Sequence, residues 1–123
     1  MARVLVVDDE PALRDTMRRM LERAGHEVIV AADGTAALDL MKTQTVDLII
    51  TDIFMPGQDG LELLRRLRSA GKNPKVIAVS GGDRTGTMDL QEHAQGLGAR
   101  RTLSKPFELR TLLDTVAEVL REP

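Results

Sequence analysis

Five short apolar runs, separated by longer stretches of helical periodicity, constrain this chain more than any other feature. The runs Arg3 to Val7, Glu27 to Ala31, Asp47 to Thr51, Lys75 to Val79 and Arg100 to Leu103 draw on Val, Ile and Leu. Apolar runs of that length suit strands buried on both faces of a parallel sheet, where crossover helices cover both sides. Between them the spacing changes. Leu13, Met17, Met20, Leu21 and Ala24 recur on one helical face and stop at Gly25, a residue that ends helices at low conformational cost. Leu109, Leu112, Leu113, Val116, Ala117 and Leu120 form one continuous stripe, suited to docking on a sheet. Further helices are predicted at Thr35 to Lys42, Leu61 to Ala70 and about Thr87 to Leu97, bracketed by Gly, Asp, Asn or Pro.

The order is (βα)5, which makes this an α/β chain. Right-handed crossovers and five parallel strands point to a doubly wound five-stranded parallel sheet with strand order 2-1-3-4-5. At 123 residues the chain is expected to be one domain, residues 1–123, with no linker and nothing appended. Apolar residues make up 42% and charged residues 29%, a composition that buries a core. No apolar run approaches the ~20 residues that span a bilayer, and Met1-Ala2-Arg3 opens no signal-peptide layout. Cysteine is absent, which excludes disulfides and thiolate zinc and fits a cytoplasmic setting. A net charge of −2 gives no basic field for phosphate backbones. A protein or ion partner is expected, with no direct nucleic acid binding and no membrane.

Ligands of such sheets lie beyond the C-terminal strand ends. There the sequence places Asp8, Asp9 and Glu10 after the first run, Asp52 after the third, Ser80 after the fourth, and Ser104, Lys105 and Pro106 after the fifth. If the first and third strands are neighbours, Asp8, Asp9 and Asp52 converge. Two carboxylates ~4 Å apart repel by roughly 4 kcal/mol at an effective dielectric of 20. A hard divalent cation relieves this, and Mg²⁺ takes one or two carboxylates plus waters while leaving room for a phosphate oxygen. Lys105 is a second positive charge. An Asp can be a covalent nucleophile towards phosphorus, and the transfer needs chiefly positioning and charge neutralisation. Taken singly, each feature has a plainer reading. Asp8-Asp9-Glu10 before Pro11 would serve as a helix start, Asp52 as a turn residue, Gly81, Gly82 and Gly86 as loop punctuation, and Lys105-Pro106 as an ordinary trans bond. Their joint occurrence argues against those readings.

The segments Val6-Val7-Asp8-Asp9-Glu10, Thr51 to Gly60 (TDIFMPGQDG), Ser80, and Ser104-Lys105-Pro106-Phe107 together resemble the receiver domains of two-component response regulators, over essentially the whole chain. The resemblance implies a flavodoxin-like fold and a phosphoacceptor domain of a two-component or phosphorelay system, not an enzyme on external substrates. It implies Asp52 as phosphoacceptor, and Mg²⁺ held by Asp9, Asp52, the Phe54 backbone carbonyl and, through water, Asp8. It further implies Ser80 as the switch hydroxyl, Lys105 as the phosphoryl-binding lysine, a cis peptide before Pro106, and Met55 to Gly60 as the loop that shapes the pocket. The donor would be a histidine kinase or histidine phosphotransfer protein, and the switched domain would control a protein target, helped by a mobile Gly81 to Gly86 loop.

Two departures from the family pattern stand out. Thr102 occupies the position of a switch Tyr or Phe, and the chain has only two aromatics, Phe54 and Phe107, so the usual aromatic relay is expected to be altered. Phe54 and Gly82, where polar side chains help orient a hydrolytic water, predict slow self-dephosphorylation. Rival readings fare less well. A phosphohydrolase would want a general acid where Phe54 stands, and a mononucleotide cradle would want Gly-rich amides where the first strand ends in acids. A degenerate receiver acting only as a protein-binding module leaves the set of repelling carboxylates without a physical reason; a relay receiver or phosphate sink would use the same set, and the sequence leaves that alternative open.

Overall fold

A computed structural model describes residues 2–53, 60–81, 95–96 and 98–123. Five strands, β1 (Arg3–Val7), β2 (Glu27–Ala31), β3 (Leu48–Asp52), β4 (Lys75–Gly81) and β5 (Arg101–Lys105), form one parallel sheet in the order β2-β1-β3-β4-β5. Four described helices pack on it: α1 (Pro11–Arg23), α2 (Gly34–Thr43), α3 (Gly60–Ser69) and α4 (Leu109–Arg121). The helix expected at about Thr87 to Leu97, the Gly82 to Gly86 part of the loop before it, and the Met55 to Asp59 segment lie outside the described residues, save Gln95 and Gly96.

Period-two alternation along the central strands divides the core into two layers. Val4, Val6, Leu48, Ile50, Ile77 and Val79 face one side, where Met17 and Leu21 of α1 and Leu112, Val116 and Val119 of α4 cover them. Leu5, Val7, Ile49 and Ala78 face the other side, against Ala37 and Met41 of α2 and Leu61, Leu63, Leu64 and Leu67 of α3. Central strand β3 is buried throughout and β1 from Val4 onward, whereas the edge strands β2 and β5 are partly open. Helix ends follow local chemistry. The Asp33 carboxylate caps α2 by accepting from the Ala36 N–H at 2.9 Å, and Gly25, with φ +97°, turns the chain after α1.

The strand ends differ from the sequence reading in one consistent direction. β3, β4 and β5 run on to include Asp52, Ser80 and Lys105, residues expected just beyond the strands. Asp52 is in register with Val79, Ser80 with Ser104 and Gly81 with Lys105. Hydrophobicity stops one or two residues before the hydrogen-bond ladder does, because the ladder needs only backbone groups.

Candidate functional site

The C-terminal ends of β1, β3 and β5 bring three carboxylates and one ammonium together. One carboxylate oxygen each from Asp8, Asp9 and Asp52 lies within 4.8 Å of the others. Asp8 and Asp52 are buried, at 1% and 5% exposure, and Asp9 is open to solvent. Lys105 Nζ donates to Asp52 Oδ2 at 2.7 Å and to Asp8 Oδ2 at 3.2 Å. Burial alone would lower the Lys105 pKa, but the hydrogen bond and charge of Asp52, reinforced by Asp8, hold it above its ordinary value. The ammonium is therefore protonated throughout the neutral range.

Asp8 and Asp52 are held from behind. The Asp8 N–H donates to the Ala31 carbonyl at 3.2 Å, and Asp8 Oδ1 accepts from the Glu10 N–H at 2.9 Å. Glu10 is the N-cap residue of α1 with no side-chain cap bond, and Pro11 opens the helix. The three acids thus precede the helix, and no acid lies in its first turn. Thr51 Oγ1 donates to the Asp52 carbonyl oxygen at 3.0 Å. Ile53 N–H donates to the Val79 carbonyl and Gly60 N–H to the Ile53 carbonyl, both at 2.8 Å. Gly60 is pressed so closely on this strand end that a Cβ there would lie 2.3 Å from the Asp52 carbonyl oxygen.

Ser80 is buried on β4, one residue beyond the partner of Asp52. Thr102 is half-buried on β5 opposite Ala78. The Lys105–Pro106 peptide is cis, and Phe107 packs against the α1/α4 layer of the core. Phe54 and Gly82 lie outside the described residues. One contributor went unnoticed in the sequence: Arg14, on the first turn of α1, donates from Nη1 to the Asp8 carbonyl oxygen at 2.8 Å. A cation near the positive end of a helix dipole was the available signal.

The donor set suits a hard cation. Three carboxylates offer oxygen ligands alone, two of them are buried, and among the described residues the one ammonium paired with them leaves their charge incompletely balanced. The cluster could hold a metal ion. No helix among the described residues is long and apolar enough to cross a membrane.

Comparison with known proteins agrees with this geometry. A family model described as "Response regulator receiver domain" matches residues 4–117. Response regulator MprA of Mycobacterium sp. (strain KMS) is 40% identical over 121 residues, 97% of this chain and 50% of the relative. The chain thus spans about half the length of the curated relatives it matches. Among solved structures, the receiver domain of the Francisella response regulator 1452 is 32% identical, with a TM-score of 0.88 and 98% of each chain covered. The chemotaxis response regulator CheY4 of Vibrio cholerae is 34% identical, with a TM-score of 0.85 over 97% of this chain and 98% of that one.

Proposed function

The chain belongs to the response regulator receiver domain family, whose role is that of a signalling phosphoacceptor, and from that premise we propose that Asp52 is the residue that takes the phosphoryl group. The observation that carries the assignment is the Lys105 ammonium 2.7 Å from Asp52 Oδ2, inside a cluster of buried carboxylates at the ends of β1 and β3.

Asp52 supplies the nucleophile. Its carboxylate oxygen attacks the phosphorus of a phosphohistidine, the P–N bond breaks, and the bonding pair returns to the imidazole, leaving an acyl phosphate on Asp52. Lys105 orients the carboxylate beforehand and can then pass its hydrogen bond to a phosphoryl oxygen, where negative charge accumulates. The Ser80 hydroxyl, one register step along the sheet, is the second donor for that group. Asp9, Asp52 and the Phe54 backbone carbonyl would hold Mg²⁺, with Asp8 acting through water. When bound, the ion would neutralise carboxylate and phosphoryl charge. Asp8, gripped by Glu10 N–H and Lys105, keeps the pocket's acidic wall in place.

The donor in this reading is a histidine kinase or a histidine phosphotransfer protein, the readout is a downstream protein target, and the exchange takes place in the cytoplasm, in keeping with a chain without cysteine. Switching follows if the phosphoryl group bonds better to one arrangement of the β4 end than to the other. Thr102 sets this chain apart, because a threonine on β5 cannot relay the change by turning an aromatic ring. The test is incubation with acetyl phosphate and Mg²⁺. An alkali-labile phosphoryl adduct that hydroxylamine cleaves should form in wild type and vanish in Asp52→Ala. An adduct that persists in Asp52→Ala, or one indifferent to EDTA, refutes the assignment.

A further inference from the structure

We propose that Arg14 is a positioning residue for the phosphoacceptor pocket, fixing the turn from which Asp8 and Asp9 project by donating to the Asp8 carbonyl oxygen at 2.8 Å. The inference rests on the assignment of the pocket made above and adds to it a side chain that bonds the backbone of Asp8.

Helix energetics argue that Arg14 is not there for the helix. A cation in the first turn faces the positive end of the macrodipole and is unfavourable there. α1 has no acid in that turn to compensate, and its N-cap residue Glu10 makes no side-chain cap. The acids that would ordinarily complement the helix start are Asp8, Asp9 and Glu10, and two of them belong to the carboxylate cluster. The guanidinium instead reaches back six residues, past the helix start, to the last carbonyl before the turn.

The bonding of Asp8 shows what that contact adds. Its N–H is tied to Ala31 across the sheet, its Oδ1 to the Glu10 N–H and its Oδ2 to Lys105. The carbonyl oxygen is the remaining polar atom, and Arg14 occupies it. The peptide plane between Asp8 and Asp9 contains that carbonyl. Rotating it would swing Asp9, the solvent-exposed member of the cluster, away from the buried pair. A planar guanidinium holds a carbonyl in a fixed direction better than an ammonium on a flexible stem. Arg14 thus acts on the pocket through backbone geometry.

Charge and geometry predict opposite outcomes, which makes the test decisive. If Arg14 mattered only as a positive charge near the acids, Arg14→Gln would tighten Mg²⁺ binding. If it positions Asp8 and Asp9, Arg14→Gln weakens binding by roughly tenfold, at the lower end of the effect of partners that orient metal ligands. Arg14→Lys, with the charge kept and the fork lost, falls between. Mg²⁺ affinity of the unphosphorylated protein is read by calorimetry. Amide shifts of Asp9 and Glu10 are read by NMR without metal, where Arg14→Gln should move both more than Arg14→Lys does. Unchanged or tighter Mg²⁺ binding in Arg14→Gln, or unmoved Asp9 and Glu10 amides, overturns the proposal. Wild type that binds Mg²⁺ but takes no phosphoryl group on Asp52 overturns the functional assignment instead, while the affinity and shift data still decide the role of Arg14.

Discussion

Replacing Asp52 by asparagine should stabilise the folded protein when no divalent cation is present. Asp8 and Asp52 are buried at 1% and 5% exposure, with oxygens no more than 4.8 Å apart. Two such carboxylates repel by roughly 3 kcal/mol at an effective dielectric of 20, and the exposed Asp9 adds about 1 kcal/mol more after screening. Lys105, 2.7 Å from Asp52, returns about 6 kcal/mol on the same scale, and these pairwise terms cancel to within about 2 kcal/mol. What remains is the cost of removing the Asp52 carboxylate from water, several kcal/mol per buried ion (~3 or more). Asparagine keeps the shape and an acceptor oxygen for Lys105 without that cost, and Lys105 keeps Asp8 as its charged partner. Asp52→Asn is therefore expected to gain about 1–3 kcal/mol, measured as a higher urea midpoint at unchanged slope in EDTA. Adding Mg²⁺ to a hundredfold excess over its dissociation constant stabilises wild type by ~2.7 kcal/mol, which should close or reverse the gap. A variant less stable than wild type in EDTA would refute the reasoning, because the ion pair with Lys105 would then outweigh both burial and repulsion.

Three further outcomes follow from the same geometry. Gly60→Ala puts a Cβ 2.3 Å from the Asp52 carbonyl oxygen and 2.9 Å from the Ile53 Cα, backbone atoms that cannot step aside. It should cost about 1–3 kcal/mol, seen as a melting temperature lower by at least ~4 °C, and an unchanged melt would contradict it. Glu122, bridged to Arg100 and Arg101 at the end of α4, has its pKa lowered below 4.5, chiefly by the hydrogen bond from Arg100. A depressed folded-state pKa gives stability that is present above the unfolded value and lost as pH falls through the folded one. The advantage of wild type over Glu122→Gln in urea midpoint should thus be present at pH 7 and shrink below about pH 4.5; an advantage independent of pH would disprove the pairing. Finally, the apolar Phe54 is expected to disfavour an aligned attacking water, so phospho-Asp52 should live longer in wild type than in Phe54→Asn. A wild-type lifetime equal to or shorter than that of the variant, followed by mass spectrometry after removing the phosphodonor, would refute this.

The class of fold and the composition of the site were legible because their signals are local or carried by chain order. Runs such as Val4 to Val7 and Leu48 to Ile50 announce buried strands, and the stripe from Leu109 to Leu120 announces a docked helix. Right-handed crossovers then leave few arrangements. The acids and Lys105 were legible as candidates because they follow apolar runs where a doubly wound sheet collects its ligands. Strand ends were less legible. Asp52, Ser80 and Lys105 read as loop residues by polarity, yet all three continue the ladder.

The order of residues along the polymer determined that five parallel strands would carry three carboxylates and a lysine to one rim, because side-chain periodicity and position relative to a strand end survive without coordinates. Only the tertiary structure decided that one ammonium would serve both Asp52 and Asp8, across 53 and 97 residues of chain. It alone decided that the Gly60 backbone would lie against Asp52, and that Arg14 would turn away from its own helix to hold the Asp8 carbonyl. Distances of that kind depend on how both layers of the core pack at once, and no local pattern encodes them.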